Sequence, residues 1–149
     1  MIVNNEKDMR EFGEKIGSIV SAGDIIELIG DVGAGKTTFV HGLAKGMQID
    51  EQIQSPSFTI SRTYDSAKGL KLAHYDFYRL SDPGIMADEL IDNLGTENTV
   101  IVIEWATAVE SILSIDRLSI FIKPDTKDRR LITMKSGGTK SERLRSALK

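Results

Sequence analysis

The fold is decided by Gly30-Asp31-Val32-Gly33-Ala34-Gly35-Lys36-Thr37, which matches the pattern G-x-x-x-x-G-K-[ST] without a mismatch. A short β-branched run at residues 25–29 precedes this stretch, and apolar residues at helical spacing follow it. In the order strand, glycine-rich loop and helix, consecutive backbone N–H groups and a helix N-terminus point at one anion. The sequence therefore predicts a phosphate-binding loop (P-loop) in an α/β domain.

The chemistry of this loop predicts a magnesium–nucleotide ligand. Lys36 supplies a mobile positive charge for the β- and γ-phosphates, and the Thr37 hydroxyl is suited to a Mg²⁺ ion that bridges them. We therefore expect ATP or ADP together with Mg²⁺. The residues expected to contact the nucleotide are Gly33, Ala34, Gly35, Lys36, Thr37 and Thr38.

A carboxylate is expected at the end of a neighbouring buried strand, because it must hold the magnesium water shell from the side opposite the phosphates. The apolar run Thr99 to Ile103 predicts such a strand, and Glu104 follows it directly. The predicted metal ligands are Thr37 and Glu104. The alternative interpretation of Glu104, an ordinary charged residue at a strand end, stays open.

Asp76 is a further candidate functional residue. Side chains alternate along residues 74–79, so His74, Asp76 and Tyr78 are expected on one polar face, opposite Tyr75, Phe77 and Arg79. Asp76 either positions the water that attacks the γ-phosphate or supports the magnesium ion, and the sequence leaves both roles open. The predicted catalytic residues are Lys36, Asp76 and Glu104.

Length and composition predict a single domain over residues 1–149. The 19 basic and 22 acidic residues give a net charge of −3, which argues against strong direct binding of nucleic acid. Because the chain has no cysteine, it has no thiol nucleophile and no thiolate metal site. No apolar run approaches a membrane span and the N-terminus does not resemble a signal peptide, so we expect a cytoplasmic protein without membrane attachment.

The hydrophobic pattern also predicts the remaining elements. Four further strands are expected, at residues 59–64, 70–76, 118–122 and 130–135. The turn-prone sequence Ser66 to Gly69 indicates a hairpin between the first two, which makes the sheet mixed. Ser81-Asp82-Pro83 predicts a capped helix start, and a short terminal helix is expected to contain Leu144 and Leu148.

Four motifs occur together in this chain: the P-loop, Ser-Pro-Ser-Phe at 55–58, His-x-Asp-x-Tyr-Arg at 74–79 and Ile-Glu-Trp at 103–105. In this order they resemble the TsaE (YjeE) family of ATPases from the tRNA threonylcarbamoyladenosine machinery. The resemblance extends from about Ile25 to Ala106 and is weaker afterwards. The family usually has threonine at the position of Ser57 and often proline at that of Ala106, and neither difference removes a predicted functional group.

The resemblance implies a P-loop NTPase-like, three-layer α/β fold with a mixed, mainly parallel central sheet between helices. It implies an ATP-binding and ATP-hydrolysing protein that acts with TsaB-like and TsaD-like partners on adenosine 37 of certain tRNAs, so that tRNA is met only through the complex. It also points to base-binding residues near Asn5 and Glu6 and at Lys127 to Arg130.

Several roles stay open at this point. Arg79 is a candidate for an internal ion pair or for a contact across an interface, and without an evident arginine finger we expect weak basal hydrolysis that depends on partners. Trp105 is either a site or partner contact or part of the core. The alternative functions are a small-molecule P-loop kinase and a nucleotide-dependent assembly switch that does not require turnover.

Overall fold

The computed structural model describes residues 1–56, 59–78, 80 and 82–149. Its strands are β1 (Ile2–Val3), β2 (Ile25–Ile29), β3 (Ser61–Asp65), β4 (Lys71–Asp76), β5 (Thr99–Glu104), β6 (Leu118–Pro124) and β7 (Arg130–Ser136). Its helices are α1 (Glu6–Ile19), α2 (Lys36–Gly46), α3 (Ile85–Leu94) and α4 (Thr139–Ser146), with a 3₁₀ helix at Ala106–Ile112. Within the described ranges, no helix is long and apolar enough to cross a membrane.

The strands form one sheet in the order β1-β7-β6-β2-β5-β4-β3. Strands β6, β2, β5 and β4 are paired in parallel, while β1 with β7, β7 with β6, and β3 with β4 are antiparallel. This arrangement confirms the mixed sheet and the predicted hairpin. It also places the carboxyl ends of β2, β5 and β4 at one edge, where ligands of open α/β sheets usually bind.

Helices cover both faces of this sheet, as the predicted three-layer fold requires. One hydrophobic cluster joins the sheet to α1, α2 and α4 and includes Phe12 and Leu43. A second cluster on the opposite face joins Tyr75 to Leu90 of α3 and Val109 of the 3₁₀ helix. Each fully buried apolar side chain of this size contributes roughly 1.5–3 kcal/mol, so the two clusters hold the sheet rigidly between the layers.

Glycines on both helices, among them Gly13 and Gly42, allow α1 and α2 to approach closely. A Cβ atom on Gly42 would lie 2.0 Å from the carbonyl oxygen of Arg10, and one on Gly13 would lie 2.2 Å from that of Phe39. Any larger side chain at either position would push the helices apart. Near the start of α1, Met9 packs against the loop that precedes α2, since a Cβ atom on Gly35 would lie 3.4 Å from Met9 Cε.

Strand β3 begins later than predicted. Its first residue is Ser61 rather than residue 59, because Ile60 has a φ of 66°, which takes the backbone out of the extended region. Of the predicted motif residues, Ser57, Phe58 and Arg79 lie outside the described residues, as does Ser81.

The predicted start of α3 at residues 81–83 is wrong. Helix α3 begins at Ile85, after Gly84 with a φ of 51°. The Asp82 carboxylate accepts a hydrogen bond from the Gly84 N–H at 3.0 Å, so this aspartate stabilises a turn before the helix instead of capping it. At the other end of the chain, α4 stops at Ser146, and Leu148 packs against the core from beyond it.

Candidate active site

The P-loop joins the end of β2 to the start of α2. Gly33 and Gly35 have φ values of 80° and 111°, which residues other than glycine rarely adopt. The Ala34 N–H donates to the Asp31 carbonyl at 3.0 Å and closes the turn. Because no side chain caps the N-terminus of α2 at Gly35, its first amides and the positive end of its dipole face the loop.

A cavity of about 600 Å³ lies over this loop. It is lined by Lys36, Thr37 and Thr38 from the P-loop and by Asp76 and Glu104 from the neighbouring strands. Gly33 and Gly35 also line it, whereas Ala34 lines an adjacent cavity. The structure therefore brings together, around one space, every residue predicted to bind phosphate or metal or to act in catalysis except Ala34.

The two carboxylates of the cavity lie side by side. Asp76 and Glu104 are Cα partners at the ends of the parallel strands β4 and β5, and their residues are 6% and 2% exposed. The Tyr78 N–H donates to Asp76 Oδ1 at 2.9 Å, which orients that carboxylate. Both residues line the cavity, and carboxylate oxygens are ligands that Mg²⁺ prefers, so this pair is suited to a cation bound there.

Lys36 contacts both the loop and an aromatic ring. Its Nζ donates to the carbonyl oxygens of Gly30 at 2.6 Å and Asp31 at 3.0 Å, and lies 4.9 Å from the centroid of the Trp105 ring. The Tyr78 ring packs on the Trp105 ring, with 4.8 Å between the two ring centroids. Trp105 thus lines the cavity while also packing against the second hydrophobic cluster, so both interpretations of this residue hold in part.

A second cavity, of about 420 Å³, adjoins the P-loop on the side of α1. Its walls include Asn5 and Glu6 at the start of α1, Lys127 in the β6–β7 hairpin, and the loop residue Ala34. Arg130, in the β6–β7 hairpin, donates a hydrogen bond from Nε to the Ala34 carbonyl at 3.0 Å and so stabilises the P-loop. The sequence alone does not predict this hydrogen bond, because the two residues are 96 positions apart and no local pattern links them.

The donor set in the larger cavity fits Mg²⁺. The Thr37 hydroxyl and the Glu104 carboxylate are oxygen ligands, which magnesium prefers, and both line the same space. Among the described residues, no group of three or more His, Asp or Glu side chains is placed to hold a metal ion by itself. Few protein ligands are typical of magnesium that is bound together with substrate phosphates.

The three-layer fold and the loop at the edge of its sheet define a protein of the P-loop NTPase type. A sequence model of the family described as "Threonylcarbamoyl adenosine biosynthesis protein TsaE" matches residues 3–132. The chain belongs to the TsaE family.

Relatives and a solved structure agree with this assignment. The chain is 36% identical over 142 residues to the tRNA threonylcarbamoyladenosine biosynthesis protein TsaE of Bacillus subtilis, covering 94% of this chain and 87% of the relative. The protein of the same name from Treponema pallidum is 34% identical over 137 residues, covering 89% and 97%. A crystal structure of YdiB from Bacillus subtilis superposes with a TM-score of 0.83 at 32% identity, covering 99% of this chain and 91% of that one.

Proposed function

We propose that the chain is the ATP-binding and ATP-hydrolysing component of a cytoplasmic machinery that makes threonylcarbamoyladenosine at position 37 of tRNA, acting with TsaB-like and TsaD-like partners. Family membership supports the pathway, since the relatives carry its name. One structural observation carries the ATPase activity: Lys36 and Thr37 of the P-loop share a cavity with the paired carboxylates Asp76 and Glu104.

In the proposed reaction, water attacks the γ-phosphorus, the bond to the β–γ bridging oxygen breaks, and ADP and phosphate leave. Lys36 exchanges its contacts with the Gly30 and Asp31 carbonyls for phosphate oxygens and, with the loop amides, neutralises their charge. Thr37 and Glu104 would hold Mg²⁺, which supplies further positive charge at the phosphates when bound. Asp76 accepts a hydrogen bond from the attacking water and orients it.

We assign the adenine base to the smaller cavity. Asn5, Glu6 and Lys127 supply polar groups there, and Gly33 and Thr38 line both cavities. A single nucleotide can therefore place its phosphates in the larger cavity and its base in the smaller one.

Asp76→Asn tests the ATPase assignment, with Asp88→Asn on the exposed face of α3 as the matched control. Loss of a carboxylate that orients water should lower turnover by about 10²-fold or more, whereas ATP affinity should stay within roughly threefold. The control should hydrolyse ATP at the wild-type rate. A fully active Asp76→Asn variant would refute the assigned role.

The dependence on partners is tested by measuring ATPase rates with and without purified TsaB-like and TsaD-like proteins. Because the P-loop and two carboxylates do not complete the charge clamp of fast P-loop enzymes, the rate should rise when the partners are added. Equal rates would count against partner dependence.

Two further measurements separate the alternative functions. Phosphate transfer to added nucleosides or small alcohols would indicate a kinase. If the Asp76→Asn variant binds ATP and still supports repeated rounds of tRNA modification, the chain acts as an assembly switch and hydrolysis is not required.

A further inference from the structure

A group of buried polar atoms behind the site has no assigned role. In the described part of the chain, the buried side-chain nitrogen or oxygen atoms without a hydrogen-bond partner are Arg62 Nε, His74 Nδ1 and His74 Nε2. All belong to two residues that are Cα partners in the β3–β4 ladder. Unpaired buried polar groups are uncommon in native proteins, and their concentration beside a catalytic cavity calls for a functional explanation.

His74 lies directly behind Glu104. The His74 side chain is 0% exposed, and its Nε2 atom is 3.6 Å from Glu104 Oε2. In the β4–β5 ladder His74 pairs with Val102 and Asp76 pairs with Glu104. His74 is therefore two residues before Asp76 in its strand, one step behind the two carboxylates on the same face of the sheet. The buried imidazole is not part of the cavity lining, and the site residue that it approaches is Glu104.

The hydrogen-bonding capacity of Glu104 and Arg62 decides which tautomer of His74 fits between them in type. A neutral imidazole has one N–H donor and one acceptor nitrogen, while a carboxylate only accepts and an arginine Nε only donates. The tautomer with hydrogen on Nε2 therefore suits Glu104 and leaves Nδ1 as an acceptor, which is complementary in type to the unpaired Nε–H of Arg62 on the adjacent strand. The opposite tautomer would set two acceptors against each other at Glu104.

We propose that His74 is a positioning residue: its Nε2–H donates to the Glu104 carboxylate and turns the other carboxylate oxygen towards the metal side of the cavity. This role rests on the proposed function, because it takes Glu104 as a magnesium ligand. A separation of 3.6 Å is just beyond hydrogen-bond length, so a small rotation of the carboxylate completes the contact. Removing a residue that hydrogen-bonds to a metal ligand commonly lowers metal affinity by about 10–100-fold.

Two amide variants separate this role from simple packing. His74→Gln places an N–H donor near the position of Nε2, whereas His74→Asn places it near that of Nδ1. Affinity for a fluorescent ATP analogue is measured in EDTA and across a magnesium titration. For His74→Asn, the magnesium concentration needed for half-maximal effect should rise at least about 10-fold with affinity in EDTA unchanged, and kcat should recover at saturating magnesium. His74→Gln should need at most about fivefold more magnesium than the wild type.

The proposal is overturned if both amide variants keep the wild-type magnesium dependence, or if both lose it equally. Thermal unfolding of each variant shows whether it is folded. Nitrogen NMR of the wild-type protein needs no variant: a protonated Nε2 and an unprotonated Nδ1 on His74 are expected, and the reverse tautomer refutes the contact. If wild-type nucleotide affinity does not respond to magnesium at all, the proposed magnesium site itself fails, and that result is visible before any variant is made.

Discussion

Replacing Arg117 by methionine should strongly destabilise the fold. Glu27 lies in the middle strand of the sheet, on the face covered by the 3₁₀ helix, and Arg117 Nε donates to Glu27 Oε2 at 2.7 Å. Arg117 also forms an ion pair with Glu110 of the 3₁₀ helix. Through these two ion pairs, Arg117 links the 3₁₀ helix to β2. Glu27 is the Cα partner of Ile103, which precedes Glu104, so this link lies beside the strand that carries Glu104.

The magnitude follows from burial. The side chains of Arg117 and Glu27 are only 12% and 11% exposed, and removing one member of a buried ion pair costs about 3–5 kcal/mol because the other charge is left unpaired. Ser119 Oγ still donates to Glu27 at 3.0 Å, so we expect the lower end, about 3 kcal/mol. Burial alone would lower the pKa of Arg117, but hydrogen bonds with Glu27 and Glu110 outweigh it and raise that pKa, so the arginine stays charged.

Urea unfolding measures the effect, which corresponds to a fall in Tm of roughly 6–12 °C for a domain of this size. Glu110→Ala is the matched control, because Glu110 is 56% exposed and such pairs contribute at most about 1 kcal/mol. The double variant Glu27→Leu/Arg117→Met should recover most of the lost stability, since it leaves no buried charge behind. The reasoning is refuted if Arg117→Met loses less than about 1 kcal/mol.

Three further outcomes follow from the structure. Gly42→Ala should destabilise the protein by about 1–3 kcal/mol in urea unfolding, because its Cβ would meet the Arg10 carbonyl; unchanged stability would contradict the close helix contact. Hydrogen bonds from Arg145, and then from serine hydroxyls, lower the pKa of Glu142 to about 2 from an ordinary value of 4.5. A lowered pKa stabilises the fold above pH 4.5, and this contribution is lost as the pH falls towards 2. In urea unfolding at a series of pH values, Glu142→Gln should therefore lose less unfolding free energy than the wild type between pH 4.5 and 2. Adding Mg-ATP should change the emission of Trp105, since phosphate draws the Lys36 ammonium away from its ring; constant emission with confirmed binding would contradict this.

The sequence by itself determined the P-loop and the order of the main elements. The loop is readable because its residues are contiguous and its chemistry is local: glycines allow positive φ, and a lysine and a threonine follow at a fixed spacing. Strand β5 is equally readable, because a continuous apolar run before Glu104 is typical of a buried parallel strand. The predicted start of α3 failed because the turn at Gly84, rather than the preferences of the preceding residues, decides where the helix begins.

Only the tertiary structure decided which distant residues meet. The parallel pairing of β4 with β5 sets Asp76 opposite Glu104, and strand register places His74 one step behind them. The hairpin brings Arg130 onto the Ala34 carbonyl across 96 positions of sequence. Periodicity specifies which face of an element is buried, but the neighbour that a side chain meets depends on strand order, register and helix packing, which arise from contacts across the whole domain.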